Sequence, residues 1–203
     1  MEDLEKKERI LKAAMEEFSK KGFSGASTNE IAKEAGTAKG LIFHYFKDKE
    51  NLYLETYKKA VNTLVEEFET FIAMSKEKNF FETLKEWSYK KLEFMAENPE
   101  VSDFMLTMLN LPKDMENQVL AEVKKIQSKN WAILFEKFQL LNLRKDLDPQ
   151  IVFKFIIALF NGLGDMYLEL YKGKPEKLKK DTEKIVKEAD MILEILKHGI
   201  LLD

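Results

Sequence analysis

The stretch that decides the reading is Thr28–Phe46, TNEIAKEAGTAKGLIFHYF. It holds two short apolar-patterned segments joined at a glycine. In Asn29–Ala35, Ile31, Ala32 and Ala35 share one face, and Thr28 is placed to cap that segment as a helix. Gly36 stands where a turn wants a positive φ or a close approach of backbone. Thr37 is placed to cap a second helix, Ala38–Phe46. Two short helices joined this tightly are the parts of a helix-turn-helix. Ala32 must be small for the helices to cross closely, and Ile42 fills the space between them.

The outer face of the second segment is a candidate reading surface. Ile42 and Phe46 point inward, Lys39 and Phe43 form one outward row, and Gly40 and His44 form the next. Lys39 can donate to guanine O6/N7 or to phosphate, and Phe43 can touch a thymine methyl. Gly40 lets the backbone approach a base edge or phosphate. Amides around Ala38 and Lys39 at the helix start suit a phosphate. Thr28, Thr37, His44, Tyr45 and Lys49 complete the expected DNA-binding set; His44 fits equally as a solvated or packing side chain. The charge is local: residues 1–50 carry ten basic and ten acidic side chains, whereas Lys33–Lys49 has four lysines against two acids.

Outward from this stretch the chain predicts helices throughout. Glu5–Lys21 is amphipathic and ends at Gly22; a long helix runs from about Lys49 to Lys76 with Asp48 as its cap. Further helices are expected over Phe80–Glu97, Glu100–Leu109, Pro112–Leu141, Pro149–Tyr171 and Glu176–His198. The fold class is all-α, about nine helices, with a DNA-binding domain over residues 1–48 and a ligand-binding and dimerisation domain over 49–203. The 203 residues are 45% hydrophobic and 34% charged, with eight Gly and four Pro, a globular balance with few breaks. A net charge of −3 excludes a protein that coats nucleic acid by bulk charge, and the absence of Cys excludes disulfides and thiolate chemistry. The two His are far apart, so spacing predicts no metal site and no cofactor. The charged N-terminus does not read as a signal peptide, and 151–163 reads as too short and too polar to span a membrane, so a cytoplasmic protein without a membrane partner is expected.

The run Gly22–Gly36 followed by Lys39–Leu52, with its Gly-Phe entry, its Ile-Ala…Ala-Gly pair and its Tyr-Phe-Lys-x-Lys-Glu-x-Leu exit, resembles the DNA-binding domain of the tetracycline-repressor family. The resemblance covers roughly the first quarter of the chain by motif and the rest by length and helical content. It implies a homodimeric repressor that leaves its operator when a small molecule enters the larger C-terminal domain. Two positions depart from the family pattern. Leu41 stands where Thr or Ser is usual, and Phe43 where Tyr is common, so each lacks a hydroxyl for DNA.

Large soft side chains crowd the second part. Trp87, Phe104, Met105, Met108, Trp131 and Phe135 either fill a core or line a cavity for a mainly hydrophobic effector. Asn161 and Asp165, four apart on an apolar helix, either anchor a ligand's polar group or bond across a dimer seam. Ile185, Ala189, Ile192 and Leu196 form a stripe on the last helix, and Ala158 and Gly162 give the preceding helix a surface for close approach. Two such helices per subunit make a four-helix dimer interface, or else the stripe packs within its own subunit. The expected function is a ligand-responsive repressor on a palindromic duplex operator. The alternative is an all-helical binding protein or enzyme with an incidental helix-turn-helix. Against an enzyme, no nucleophile–base pair, phosphate-cradling Gly loop or metal spacing stands out.

Overall fold

The computed structural model describes residues 2–201. Among them the chain forms nine α-helices, one 3-10 turn and no strand, which is the all-α class the sequence predicts. In order these are α1 (Glu2–Gly25), α2 (Thr28–Glu34), α3 (Lys39–Phe46), α4 (Lys49–Met74), α5 (Phe80–Glu97), α6 (Pro99–Leu106), the 3-10 turn Thr107–Asn110, α7 (Lys113–Gln139), α8 (Pro149–Tyr171) and α9 (Pro175–Ile200).

Local chemistry sets the ends. Gly22 interrupts α1 with φ 66° and ψ 177°, at the point where the glycine was expected to end it, and one further turn follows. The Asp48 carboxylate accepts the Asn51 amide at 2.7 Å and opens α4. Asn79 and Glu82 form a reciprocal capping box at the start of α5. Asp148 accepts the amides of Gln150 and Ile151 at 2.8 and 3.1 Å, ahead of Pro149 in the first turn of α8.

The packing divides the chain into two compact units. The first runs up to Val65 and adds Pro99–Gln127; the second is Glu66–Asn98 with the chain from Ser128 onward. The division therefore does not fall at residue 48, and α4 and α7 contribute residues to both units. Aromatic contacts explain the first unit. Phe18 of α1 meets Tyr53 of α4 edge-on at 5.0 Å, and Phe104 of α6 lies 5.2 Å from Tyr53 and 5.5 Å from Tyr57. Tyr53 shares a 2.7 Å hydrogen bond with the Thr107 hydroxyl, and Tyr57 donates to the Met105 carbonyl at 3.2 Å. Burial pushes the Tyr53 phenol up to about 12.

In the second unit, Phe80 and Phe81 of α5, Phe138 of α7, Ile156 and Phe160 of α8, and Leu193 of α9 form one core. Phe68, Phe71 and Leu134 form another, with Trp87 and Trp131 against it. Lys137 donates to the carbonyls of Ser75, Lys76 and Lys78 at 3.4, 3.1 and 2.6 Å, and so satisfies the chain where it leaves α4. One expectation is corrected here. Helix α8 is 23 residues and is long and apolar enough to cross a membrane by length and composition, because the apolar pattern runs on past Leu163 to Tyr171. Only 28% of its most apolar window is buried in this chain.

Glu17 connects α1 to the entry of α2, accepting the Lys21 ammonium at 2.9 Å and the Ser27 amide at 3.0 Å. Burial raises its carboxyl, but the Lys21 and Ser27 bonds outweigh that and hold it below its ordinary value. A lowered native pKa stabilises the fold above the unfolded value, and the gain is lost as pH falls through the native one. Glu17→Gln should cost about 1 kcal/mol at neutral pH. The gap to wild type should shrink as the medium is acidified, which urea melts at pH 7 and about pH 4 measure.

Candidate nucleic-acid interface and ligand cleft

The α2–α3 pair is held by backbone geometry. Gly36 has φ 62°, its amide donates to Lys33 at 3.1 Å, and the next amide, of Thr37, reaches back to Ala32 at 2.9 Å. That pair of bonds is the Schellman closure, which needs a left-handed residue where Gly36 stands. Ile31, Ala32, Ala35, Ile42 and Phe46 are buried, as their spacing predicts.

The caps differ from expectation. Ser27, not Thr28, caps α2, accepting the Asn29 amide at 3.3 Å, and Thr28 is the first helical residue. The Ser27-Thr28-Asn29-Glu30 spacing, Ser-x-x-Glu, is a start signal that could have placed it. Ala38, not Thr37, stands at the cap of α3 with φ −80° and ψ 142°, and no side chain caps that helix. The Thr37 amide is drawn into the closure of α2 instead.

Ala38, Lys39, Gly40, Phe43 and His44 are exposed together, and Thr37 is half-buried beside them. The Lys39 ammonium lies over the Phe43 ring, 5.7 Å from its centre, and the His44 ring meets Tyr45 at 5.5 Å. Two expected DNA donors have partners within the chain. The Tyr45 hydroxyl donates to Asp3 of α1, which also raises its pKa. Lys49 donates to the Ser24 carbonyl at 3.4 Å and lies 4.9 Å from the Phe23 ring centre. Nothing in the local pattern of residues 28–49 signals a partner 42 positions upstream for Tyr45. At the far end of α3, Lys47 has φ 70° and ψ −53°, and Asp48 donates to Phe46 at 2.8 Å. This is a γ-turn of the rarer, positive-φ kind, strained for a residue with a side chain.

In the second unit a half-open cleft lies between α5, α8 and α9. Tyr89, Phe160, Tyr167, Ile185, Ala189 and Ile192 are among its walls. The expected effector residues lie elsewhere. Trp87 meets Phe68 edge-on at 4.9 Å and stacks on Phe71 at 5.9 Å between ring centres, while Trp131 and Phe135 pack on Phe153 at 6.5 and 5.0 Å. Phe104, Met105 and Met108 belong to the first unit, where Phe104 is core. Asn161 and Asp165 are exposed on α8, away from the cleft. Burial lowers the pKa of Lys91 on α5, and the charge of Asp165 partly offsets it.

The expected dimer residues divide in the same way. Ile185 and Leu196 are buried in the chain's own core, and Ala189 and Ile192 join Ile185 in the cleft wall. Ala158 and Gly162 are exposed, in a row with Ile151, Phe155 and Met166 of α8. The exposed apolar residues of α9 are Met191 and Ile195, one step round the helix from the expected stripe. Among the described residues no group of three His, Asp or Glu is placed to hold a metal.

A short, closely crossed helix pair with its second helix exposed defines a helix-turn-helix DNA-binding fold. Residues 10–56 match the family described as bacterial regulatory proteins, tetR family, and residues 78–201 match the tetracyclin repressor-like C-terminal domain. The chain belongs to the tetracycline-repressor (TetR) family of transcriptional regulators. It is 34% identical over 124 residues to YerO of Bacillus subtilis (strain 168), an uncharacterized HTH-type transcriptional regulator; the match covers 58% of this chain and 40% of YerO's length. A TetR family transcriptional regulator from Chloroflexus aurantiacus J-10-fl shares the fold, with a TM-score of 0.65 and 21% identity over 98% of this chain and 94% of that one. So does the transcriptional regulator FadR from Bacillus subtilis, solved in complex with stearoyl-CoA, with a TM-score of 0.61 and 20% identity over 93% and 96%.

The strained joint gives a direct test. Lys47→Gly should raise stability by about 1 kcal/mol, because glycine adopts positive φ without the Cβ penalty. Thermal melts of the two proteins measure it; an unchanged or lower midpoint contradicts the strain.

Proposed function

We propose that this chain is a ligand-responsive transcriptional repressor. It binds a palindromic operator as a homodimer in the cytoplasm and is released by a small, mainly apolar molecule. The observation that carries the reading is the exposed α3 face, with Lys39, Gly40, Phe43 and His44 aligned on a helix pair fixed by the Gly36 closure. Lys39 is the long cation on that face and is positioned for a base edge, while the uncapped start of α3 offers amides to a phosphate. Thr28 and Thr37 flank the face. Tyr45 and Lys49 reach DNA only by exchanging Asp3 and Ser24 for phosphate.

The exposed row Ile151, Phe155 and Met166 of α8, with Met191 and Ile195 of α9, supports pairing of two subunits, since large apolar side chains grouped on a surface seek cover. Ala158 and Gly162 lie in this row and permit close approach of a second helix. Release requires that the effector favour the state that does not hold DNA. The matched relatives are bacterial regulators, and one of them is solved with a bound acyl-CoA.

Two measurements test the reading. The purified protein should shift duplex DNA from upstream of its own coding region, and Lys39→Ala should cost about 1–3 kcal/mol on that DNA while leaving random duplex nearly unaffected. Equal losses on both DNAs would remove base reading from Lys39. Wild-type protein should sediment as a dimer at micromolar concentration. Phe155→Glu or Ile195→Glu should yield folded monomers that no longer shift the operator, because each places a charge in an apolar seam. A wild-type monomer contradicts the dimer.

A further inference from the structure

We infer that Gly40 and Phe43 form a notch on the exposed face of α3 that takes the C5-methyl group of one thymine in each half-site. The inference rests on the reading that α3 meets duplex DNA, and it names the chemical group that this face selects.

The fold itself gives no reason for a glycine at position 40. Gly40 lies in the first turn of α3 and is exposed, and its φ is not among the positive ones. Apart from the adjoining residues and its own helix backbone, no atom comes within 4 Å of where a Cβ would stand. An alanine would fit there, and would stabilise the protein by restricting the unfolded chain. Glycine instead leaves bare backbone on the face that Lys39, Phe43 and His44 share. Its advantage therefore lies with something outside the chain that comes close.

The neighbours shape the notch. Residues three and four apart on a helix are adjacent on its surface, so Phe43 and His44 border Gly40. The His44 ring turns to Tyr45, 5.5 Å away between ring centres, and the space over Gly40 stays open. Phe43 is 39% exposed, and the Lys39 ammonium lies 5.7 Å from its ring centre.

Chemistry selects the occupant. A glycine Cα and a phenyl ring present carbon, and Phe43 has no hydroxyl with which to bond a phosphate or a base edge. In the major groove the apolar substituent is the thymine methyl, and the groups around it are hydrogen-bond donors and acceptors. A methyl seated between Gly40 and Phe43 leaves water without the loss of a hydrogen bond. Lys39, one turn before Phe43, reaches a neighbouring base pair, where guanine supplies O6 and N7.

Gel shifts with the full-length protein and the shortest upstream duplex it binds test this. Each thymine is replaced in turn, symmetrically in both half-sites, by deoxyuridine, which removes the methyl and keeps every hydrogen-bonding atom. One such replacement should weaken binding by about fourfold for each methyl and about fifteenfold for the pair. Phe43→Ala should lose the preference for thymine over deoxyuridine at that position. Gly40→Ala fills the notch with its own methyl. It should bind the thymine duplex roughly tenfold more weakly than wild type and should prefer the deoxyuridine duplex. Its melting midpoint should rise by about 2 °C. An operator indifferent to every deoxyuridine replacement overturns the notch, and that comparison needs no variant. So does a Gly40→Ala protein that weakens equally on both duplexes, which would assign Gly40 to the sugar-phosphate backbone. A Phe43→Ala protein that still prefers thymine, or a lowered Gly40→Ala midpoint, also overturns it. Each of these outcomes leaves the repressor reading standing. Protein that shifts no DNA overturns that reading and the notch with it.

Discussion

Tyr53 is the side chain on which the first unit depends. It is fully buried, and its ring touches Phe18 and Phe23 of α1, Tyr57 of its own helix and Phe104 of α6. Its hydroxyl would be costly to bury alone, and Thr107 removes that cost. One residue thus joins segments more than fifty positions apart and makes α6 part of the unit that carries the reading helix. The position of α3 follows from this in turn. Ile42 and Phe46 anchor α3 in the same unit, and Lys49, at the start of α4, holds the Ser24 carbonyl just beyond the bend at Gly22.

What was legible in the sequence is what local chemistry decides. The Gly36 turn, the inward Ile31, Ala32 and Ile42, the Asp48 and Asp148 caps and the limits of α5 all follow from periodicity and capping, and the structure agrees with them. The misplaced caps of α2 and α3 show how small the margin is: Ser27 and Thr28 are adjacent hydroxyls, and the bond to Asn29 chooses between them.

Partner choice was not legible. Periodicity says that Phe104 faces inward, but not that it faces Tyr53 rather than an effector. The same holds for Trp87, whose neighbours Phe68 and Phe71 come from another helix. Helix α9 left two readings open for a different reason. It has two apolar surfaces, one through Ile185 and Leu196 into its own core and one through Met191 and Ile195 to the outside. A stripe read from one sequence does not tell these apart, because both satisfy the same 3.6-residue period.

The link Phe46-Lys47-Asp48 bears on how this gene can change length. Exposed loops ordinarily accept an inserted or deleted residue, since a longer path between fixed ends costs little entropy. Here the two helices are separated by only Lys47 and Asp48, and the turn is closed by a bond across a single residue. One residue more breaks that bond, and one fewer turns the apolar row of α4 by about a hundred degrees relative to Ile42 and Phe46. Related genes should therefore hardly vary in the length of this joint.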